Sequence, residues 1–330
     1  MSREQREALD TLYRNGPLDI GGDHVQQREV FVRMLTSQPL PEDVVLTPGS
    51  LGGVPVLEIG IDGITAEGTL LWFHGGFYVL GSPLTSAGLA SNLARRTRTK
   101  VISVDYRLAP EHPYPAALDD AVAAYRGLLD DPETDPERIV VVGESAGGGL
   151  ATALLVAARS QGLVMPRAAV LLSPYADLTL SGESMTTKTE ADPSFSAEAI
   201  AVRAKDYVDS ADPADPLISP VFADLRGLPA LLIQAGSNEV LLDDALRLAT
   251  RAAAADVPVT LEVTPGVPHL FQAFAAMLDE GESALMRVTG FLSAATGVDC
   301  ISGGRASVGV DRTQTVASSV TSMLPRVELE

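Results

Sequence analysis

The stretch Ile139–Gly149, IVVVGESAGGG, organises the reading of the whole chain. Four β-branched residues, Ile139 to Val142, have the side chains of a buried strand, and Gly143-Glu144-Ser145-Ala146-Gly147 follows at once with the pattern G-x-S-x-G. The next residues, GLATALLVAARS, carry a helical pattern. A strand that turns so sharply into a helix leaves no room for Cβ atoms at the flanking glycines. It also strains the serine backbone, while the helix N-terminus favours negative charge developing beside it. Ser145 is therefore the candidate nucleophile. Because the chain has 29 glycines and the pattern can arise by chance, partner residues must be found elsewhere.

Outward from this turn, short segments of strand composition recur: VPVLEI from Val54, TLLWF at 69–73, VISV at 101–104, AVLL at 169–172, ALLIQA at 230–235 and VTLEV at 259–263. Helical stretches such as PLTSAGLASNLARR, PAALDDAVAAYRGLL and VLLDDALRLATRAAAA separate the later ones. This alternation predicts an α/β protein with a mostly parallel sheet covered by helices on both faces.

Two regions break the rhythm. Residues 1–45 read as two polar amphipathic helices, REQREALDTLYR and HVQQREVFVRML, without a core of their own. Residues 177–220 carry prolines and one short helix, SAEAIAVRAKDYV, but no strand pattern, and are too long for an ordinary loop. Both are expected to form a cap over the carboxyl edge of the sheet, with the catalytic domain at 46–176 and 221–296. The tail, 297–330, reads as weakly ordered, with Leu329-Glu330 as an appended remnant.

The partners of Ser145 follow from the order a serine-acid-histidine triad takes on such a sheet. Of four histidines, His269 alone lies beyond the serine, on the loop after VTLEV. Glu239 is the first carboxylate past the end of ALLIQA, and Asp243 and Asp244 are its competitors. They fall inside a helical pattern where capping or ion pairing is the expected role. His74-Gly75-Gly76-Phe77-Tyr78 directly follows TLLWF, where glycines let backbone N–H groups turn towards an oxyanion. His74 is expected to brace that loop. His24 is expected at the surface, and Asp105–Glu111, with His112, in a structural turn and ion-pair network.

A net charge of −19 argues against nucleic acid or an anionic membrane surface as partner. The single cysteine, Cys300, excludes an intrachain disulfide framework and makes a zinc site improbable. The charged N-terminus lacks an apolar signal core, and no run of about 18 apolar residues offers a membrane span. These features point to the cytoplasm, with no membrane insertion.

HGGFYVLGS, DYRLAPEHPYPAALDD, GESAGGG and the late PHLF segment together resemble the hormone-sensitive-lipase-like carboxylesterases, the bacterial family IV esterases. The resemblance implies an α/β-hydrolase fold with a helical cap, no cofactor or metal, and hydrolysis of short-chain esters. It places Ser145 as nucleophile, His269 as base and Glu239 as acid, with Gly75, Gly76, Phe77 and Ala146 at the oxyanion hole. It also allows a homodimer. Three departures stand out: Phe77 replaces the third glycine of the oxyanion loop, Glu144 stands where aspartate is commoner, and the acid is glutamate. Tyr78, Leu270 and Phe271 flank the site as candidate pocket residues for an apolar small-molecule ester. Lactones, carbamates, phthalate-type diesters and amides are alternative substrates on the same triad. The fold also serves the gibberellin receptors, which lack the catalytic histidine, so a non-catalytic small-molecule receptor is the alternative of another class.

Overall fold

The structure, a computed structural model, describes residues 3–298, so all but the first two residues of the predicted tail lie outside it. One eight-stranded sheet runs in the order β1-β2-β4-β3-β5-β6-β7-β8. In chain order the strands are β1 (Val44–Leu51), β2 (Val54–Ile61), β3 (Thr69–Phe73), β4 (Lys100–Val104), β5 (Ile139–Glu144), β6 (Ala168–Leu172), β7 (Ala230–Gly236) and β8 (Val259–Thr264). The pairings of β2 with β1 and β4 are antiparallel, and the other five are parallel. This is the α/β-hydrolase fold.

The sequence reading began the sheet at Val54 and missed β1. Pro48 and Gly49 interrupt its composition, and most of its residues are exposed. As an edge strand bonded only to β2, it can carry a proline because one side of its ladder has no partner to lose.

The inner strands are buried on both faces, and their side chains divide with period two. Leu71, Phe73, Val141, Leu171 and Ile233 join one core with Tyr125 of α4 (Ala116–Leu129), Leu154 of α5 (Ala146–Ser160) and Leu248 of α8 (Leu242–Ala254). Leu70, Trp72, Val140, Val142, Val170 and Leu232 join the other, with Leu93 of α3 (Ala87–Thr97) and Leu285 and Leu292 of α9 (Asp279–Thr296). Two-sided burial is why these strands read as continuous apolar runs. Each face needs helices, and the chain supplies them between strands.

The first two helices, α1 (Arg3–Arg14) and α2 (His24–Leu35), coincide with the stretches read from sequence. Each is tied down by distant chain. Leu9 of α1 is fully buried with Val267, Phe271, Leu278 and Ala284, and Arg6 pairs with buried Glu280 at 2.5 Å. Residues 177–220 contain α6 (Ser184–Thr187) and α7 (Ala197–Val208), the latter capped by Ser196. They meet the N-terminal region: Arg203 donates to Gly22 O at 3.0 Å and Arg14 to Glu190 O at 3.1 Å.

Candidate active site

Four loops leave the carboxyl ends of parallel strands and converge, at the edge where open α/β sheets bind their ligands. They follow β3 (His74–Phe77), β5 (Ser145), β7 (Glu239) and β8 (His269). A surface depression of about 610 Å3 lined by Met165, Arg167, Ala230, Pro258 and Phe291 opens at the amino ends of the strands, away from this chemistry.

Ser145 has φ 53° and ψ −121°, backbone that a side chain rarely adopts. Such strain costs about 1–3 kcal/mol. Its N–H donates to Leu172 O at 2.9 Å, and its carbonyl accepts from Gly148 N at 2.8 Å and Tyr175 N at 2.9 Å. At about 0.5–1.5 kcal/mol per hydrogen bond, the three together offset the strain. A Cβ on Gly147 would fall deep inside the Phe73 carbonyl oxygen, and one on Gly143 inside Gly147 O. The two glycines of G-x-S-x-G are thus steric requirements of β5 passing directly into α5.

His269 Nδ1 lies 2.8 Å from Glu239 Oε2, and both side chains are buried. Glu239 Oε1 accepts from Ser173 Oγ at 2.8 Å and from the Gly236 N–H. Three donors therefore compensate the burial of this carboxylate. They also fix the imidazole with Nδ1–H towards Glu239. His269 Nε2 is buried without a protein partner among the described residues. Tyr13 of α1 donates its hydroxyl to His269 O at 3.0 Å, and burial near Asp192, Glu239 and Glu144 raises the pKa of that phenol.

The competing aspartates are used elsewhere. Asp244 Oδ2 accepts from Ala176 N at 2.7 Å and Asp177 N at 2.9 Å, and burial lifts its pKa to about 8. Asp243 Oδ2 accepts from Ser184 N at 2.9 Å. Both pin the start of the 177–220 segment, and Glu239 is the carboxylate that faces the imidazole.

In the oxyanion loop, Gly75 is placed beside the serine: a Cβ there would lie 3.2 Å from Ser145 Cβ. Its N–H donates to Glu144 Oε1 at 3.2 Å. Buried Glu144 also accepts from Ser86 Oγ, so its carboxylate ties the loop to the elbow residue beside Ser145. The Gly76 and Phe77 N–H groups take no acceptor among the described residues. Ala146 opens α5, whose own ladder leaves that N–H free. His74 braces the loop: it is fully buried, its Nδ1 lies 2.8 Å from Gly75 O, and its ring stacks on Tyr106 at 4.2 Å. Burial lowers its pKa to about 4, keeping it neutral.

The DYRLAPE stretch is the foundation of this loop. Tyr106 donates to His74 O at 2.8 Å, Arg107 pairs with Asp120 at 2.8 Å, and Glu111 pairs with Arg28 of α2 at 2.6 Å. Arg28 also donates to Val79 O at 2.7 Å and Ala109 O at 2.8 Å, bridging α2 to the oxyanion loop.

The candidate pocket residues fare differently. Phe271 is fully buried in the small core around Leu9 of α1. Leu270, left-handed at φ 52°, packs against the core that contains Trp72. Tyr78 stacks on Tyr207 at 3.9 Å as part of the opposite core. Phe77 does reach the site, edge-on to Tyr175 at 5.8 Å and to Phe195 at 4.9 Å; Phe195 in turn meets the His269 ring edge-on at 5.0 Å. Sequence reasoning missed Tyr13, Ser173, Asp192 and Phe195. The one local signal was Asp192-Pro193-Ser194, an Asx-turn pattern: Asp192 Oδ1 accepts from Ser194 N at 2.7 Å and Phe195 N at 3.2 Å.

Among the described residues no group of three or more histidine, cysteine or carboxylate side chains could hold a metal ion, and no helix is long and apolar enough to cross a membrane.

Residues 70–273 match a family model described as alpha/beta hydrolase fold. The chain is 42% identical over 258 residues to an acetyl-hydrolase of Streptomyces hygroscopicus, covering 76% of this chain and 86% of that protein. It is 40% identical over 265 residues to an esterase of Acinetobacter venetianus, covering 80% and 87%. A crystal structure of an esterase from the bacterial hormone-sensitive lipase family superposes with a TM-score of 0.86 at 42% identity, covering 90% of this chain and all of that one. The chain belongs to the hormone-sensitive-lipase-like carboxylesterases of the α/β-hydrolase fold, and it is a carboxylic ester hydrolase.

Proposed function

We propose that the chain is a serine esterase that cleaves small apolar esters through an acyl-enzyme, with Ser145, His269 and Glu239 as its triad. The observation that carries this reading is the His269 Nδ1 to Glu239 Oε2 contact of 2.8 Å, which leaves Nε2 as the unprotonated nitrogen. His269 takes the Ser145 proton as the hydroxyl attacks the ester carbonyl. The oxyanion is held by the N–H groups of Gly76, Phe77 and Ala146. His269 then hands the proton to the leaving alkoxide, and water releases the acid by the same route. The N-terminal helices and residues 177–220 act as the cap that keeps bulk water from this step. A short acyl group is supported by the 42%-identical relative being an acetyl-hydrolase and by the aromatic rings of Phe77 and Tyr175 beside the site.

The test is labelling with a fluorophosphonate and p-nitrophenyl ester kinetics. The adduct is expected on Ser145 by mass spectrometry, and Ser145→Ala should lower kcat by about 10⁴-fold or more. Normal turnover by Ser145→Ala, or an adduct elsewhere, overturns the triad. A kcat/KM for the octanoate ester equal to that for the acetate overturns the short-acyl assignment.

A further inference from the structure

We propose that Phe195 limits the alcohol half of the ester, making the enzyme selective for small alcohols as well as for acids; this rests on the triad reading above. The departing alkoxide must take its proton from His269 Nε2, so its oxygen has to come within about 2.6–3.2 Å of that nitrogen. The first carbons of the alcohol therefore extend into the space beside the imidazole. Phe195 occupies a border of that space, its ring centroid 5.0 Å from the His269 ring and edge-on at 69°. The proposed oxyanion donors lie on the loop of Gly76 and Phe77 and at Ala146, and hold the carbonyl while the alcohol leaves past the imidazole.

The ring also packs on Phe77, 4.9 Å away and nearly perpendicular at 87°, and Phe77 is itself buried against Tyr175. Asp192 fixes the backbone of Phe195 from below. Its Oδ1 accepts from Ser194 N and Phe195 N, and its Oδ2 accepts at 2.8 Å from Val240 N, the residue after Glu239. One carboxylate thus ties the wall to the loop that carries the acid of the triad. Phe195 is only partly buried, whereas His269, which it meets edge-on, is almost fully so. A branched or aromatic alcohol must displace this ring, and a methyl or ethyl group need not.

The experiment compares acetate esters of rising alcohol size (ethyl, phenyl, 2-naphthyl) with an acyl series (p-nitrophenyl acetate, butyrate, hexanoate) for the wild type, Phe195→Ala and Phe195→Leu. Thermal midpoints serve as a check on folding. The ratio of kcat/KM for 2-naphthyl acetate to that for ethyl acetate is expected to rise about tenfold in Phe195→Ala and less in Phe195→Leu. The butyrate-to-acetate ratio should stay within about twofold, far below the change one pocket methylene can produce. Asp192→Ala, which frees the ring, should move the alcohol ratio in the same direction. An unchanged alcohol ratio in folded variants, or a shift in the acyl ratio instead, overturns the proposal. Hydrolysis by the wild type without fluorophosphonate labelling of Ser145 overturns the triad reading first, and the two failures are thereby told apart.

Discussion

The proposed nucleophile and the proposed base of this site are held in opposite ways. Ser145 is fixed by main chain alone: two crowded glycines and three backbone hydrogen bonds leave its peptide one conformation. His269 is fixed by side chains from distant parts of the chain, with Glu239 on its Nδ1, Tyr13 on its carbonyl, and Ser173 bridging Glu239 to the N–H of Leu270. The first arrangement tolerates no added atom. The second can lose one bond at a time, so damage there should be graded.

The sharpest break in this contrast is at the acid. Glu239→Gln keeps the volume but offers His269 an amide that can favour the wrong tautomer, and kcat is expected to fall by about 10²–10⁴-fold. Asp244→Asn, five residues on and equally buried, should leave kcat close to that of the wild type. Steady-state kinetics on p-nitrophenyl acetate reads both, and equal losses would mean that the acid is misassigned.

Next in size is the steric limit at the elbow. Gly147→Ala forces a Cβ into the Phe73 carbonyl, and overpacking against main chain costs about 3 kcal/mol. Thermal unfolding should show a drop of several degrees. A variant as stable as the wild type would show that the turn can yield.

Asp244 tests the contrast through pH. Its pKa is raised on folding from 3.8 to about 8 by burial, so between these values the folded protein holds a proton that the unfolded chain has released. The stability this contributes is full below about pH 4 and is lost as pH rises through about 8. Asp244→Asn removes the titration while keeping an oxygen for the Ala176 and Asp177 N–H groups. The Tm of the variant relative to the wild type should therefore climb steadily from pH 5 to pH 8.5, and a flat difference would mean that the carboxyl is ionised in the folded state.

The smallest effect is expected at Tyr13. Tyr13→Phe deletes one hydrogen bond to the His269 carbonyl, and at about 1 kcal/mol this corresponds to roughly a fivefold loss in kcat with KM little changed. An unchanged kcat would show that α1 does not help to hold the base.

Much of this was legible because it is local. A buried strand, a glycine, a serine and a helix in eleven residues can be built only one way, and β3 leading into His-Gly-Gly is similarly compact. His269 was legible as the candidate base by chain order, since no other histidine follows the serine. β1 was hidden by Pro48 and Gly49, which local composition penalises and an edge position permits. The contact of the Gly75 N–H with Glu144 was not legible, because it depends on where the Glu144 side chain turns. The packing of Phe271 was not legible because α1, more than two hundred residues earlier, supplies part of the core around its ring.

What the sequence determined by itself is the framework and its chemistry: strands apolar on both faces, helices between them, and a serine whose neighbours have no Cβ to spare. These follow from steric rules and burial patterns that act within a few residues. The tertiary structure alone decided which N–H groups remain for an oxyanion, which carboxylate meets the imidazole, and which ring stands beside it. Those outcomes depend on contacts such as Tyr13 with His269, 256 residues apart, and Ser173 with Leu270, 97 apart, and no short-range rule encodes them. The strained conformation of Ser145 is thus a property of its own turn, and the side chains around it are a property of the chain folded over it.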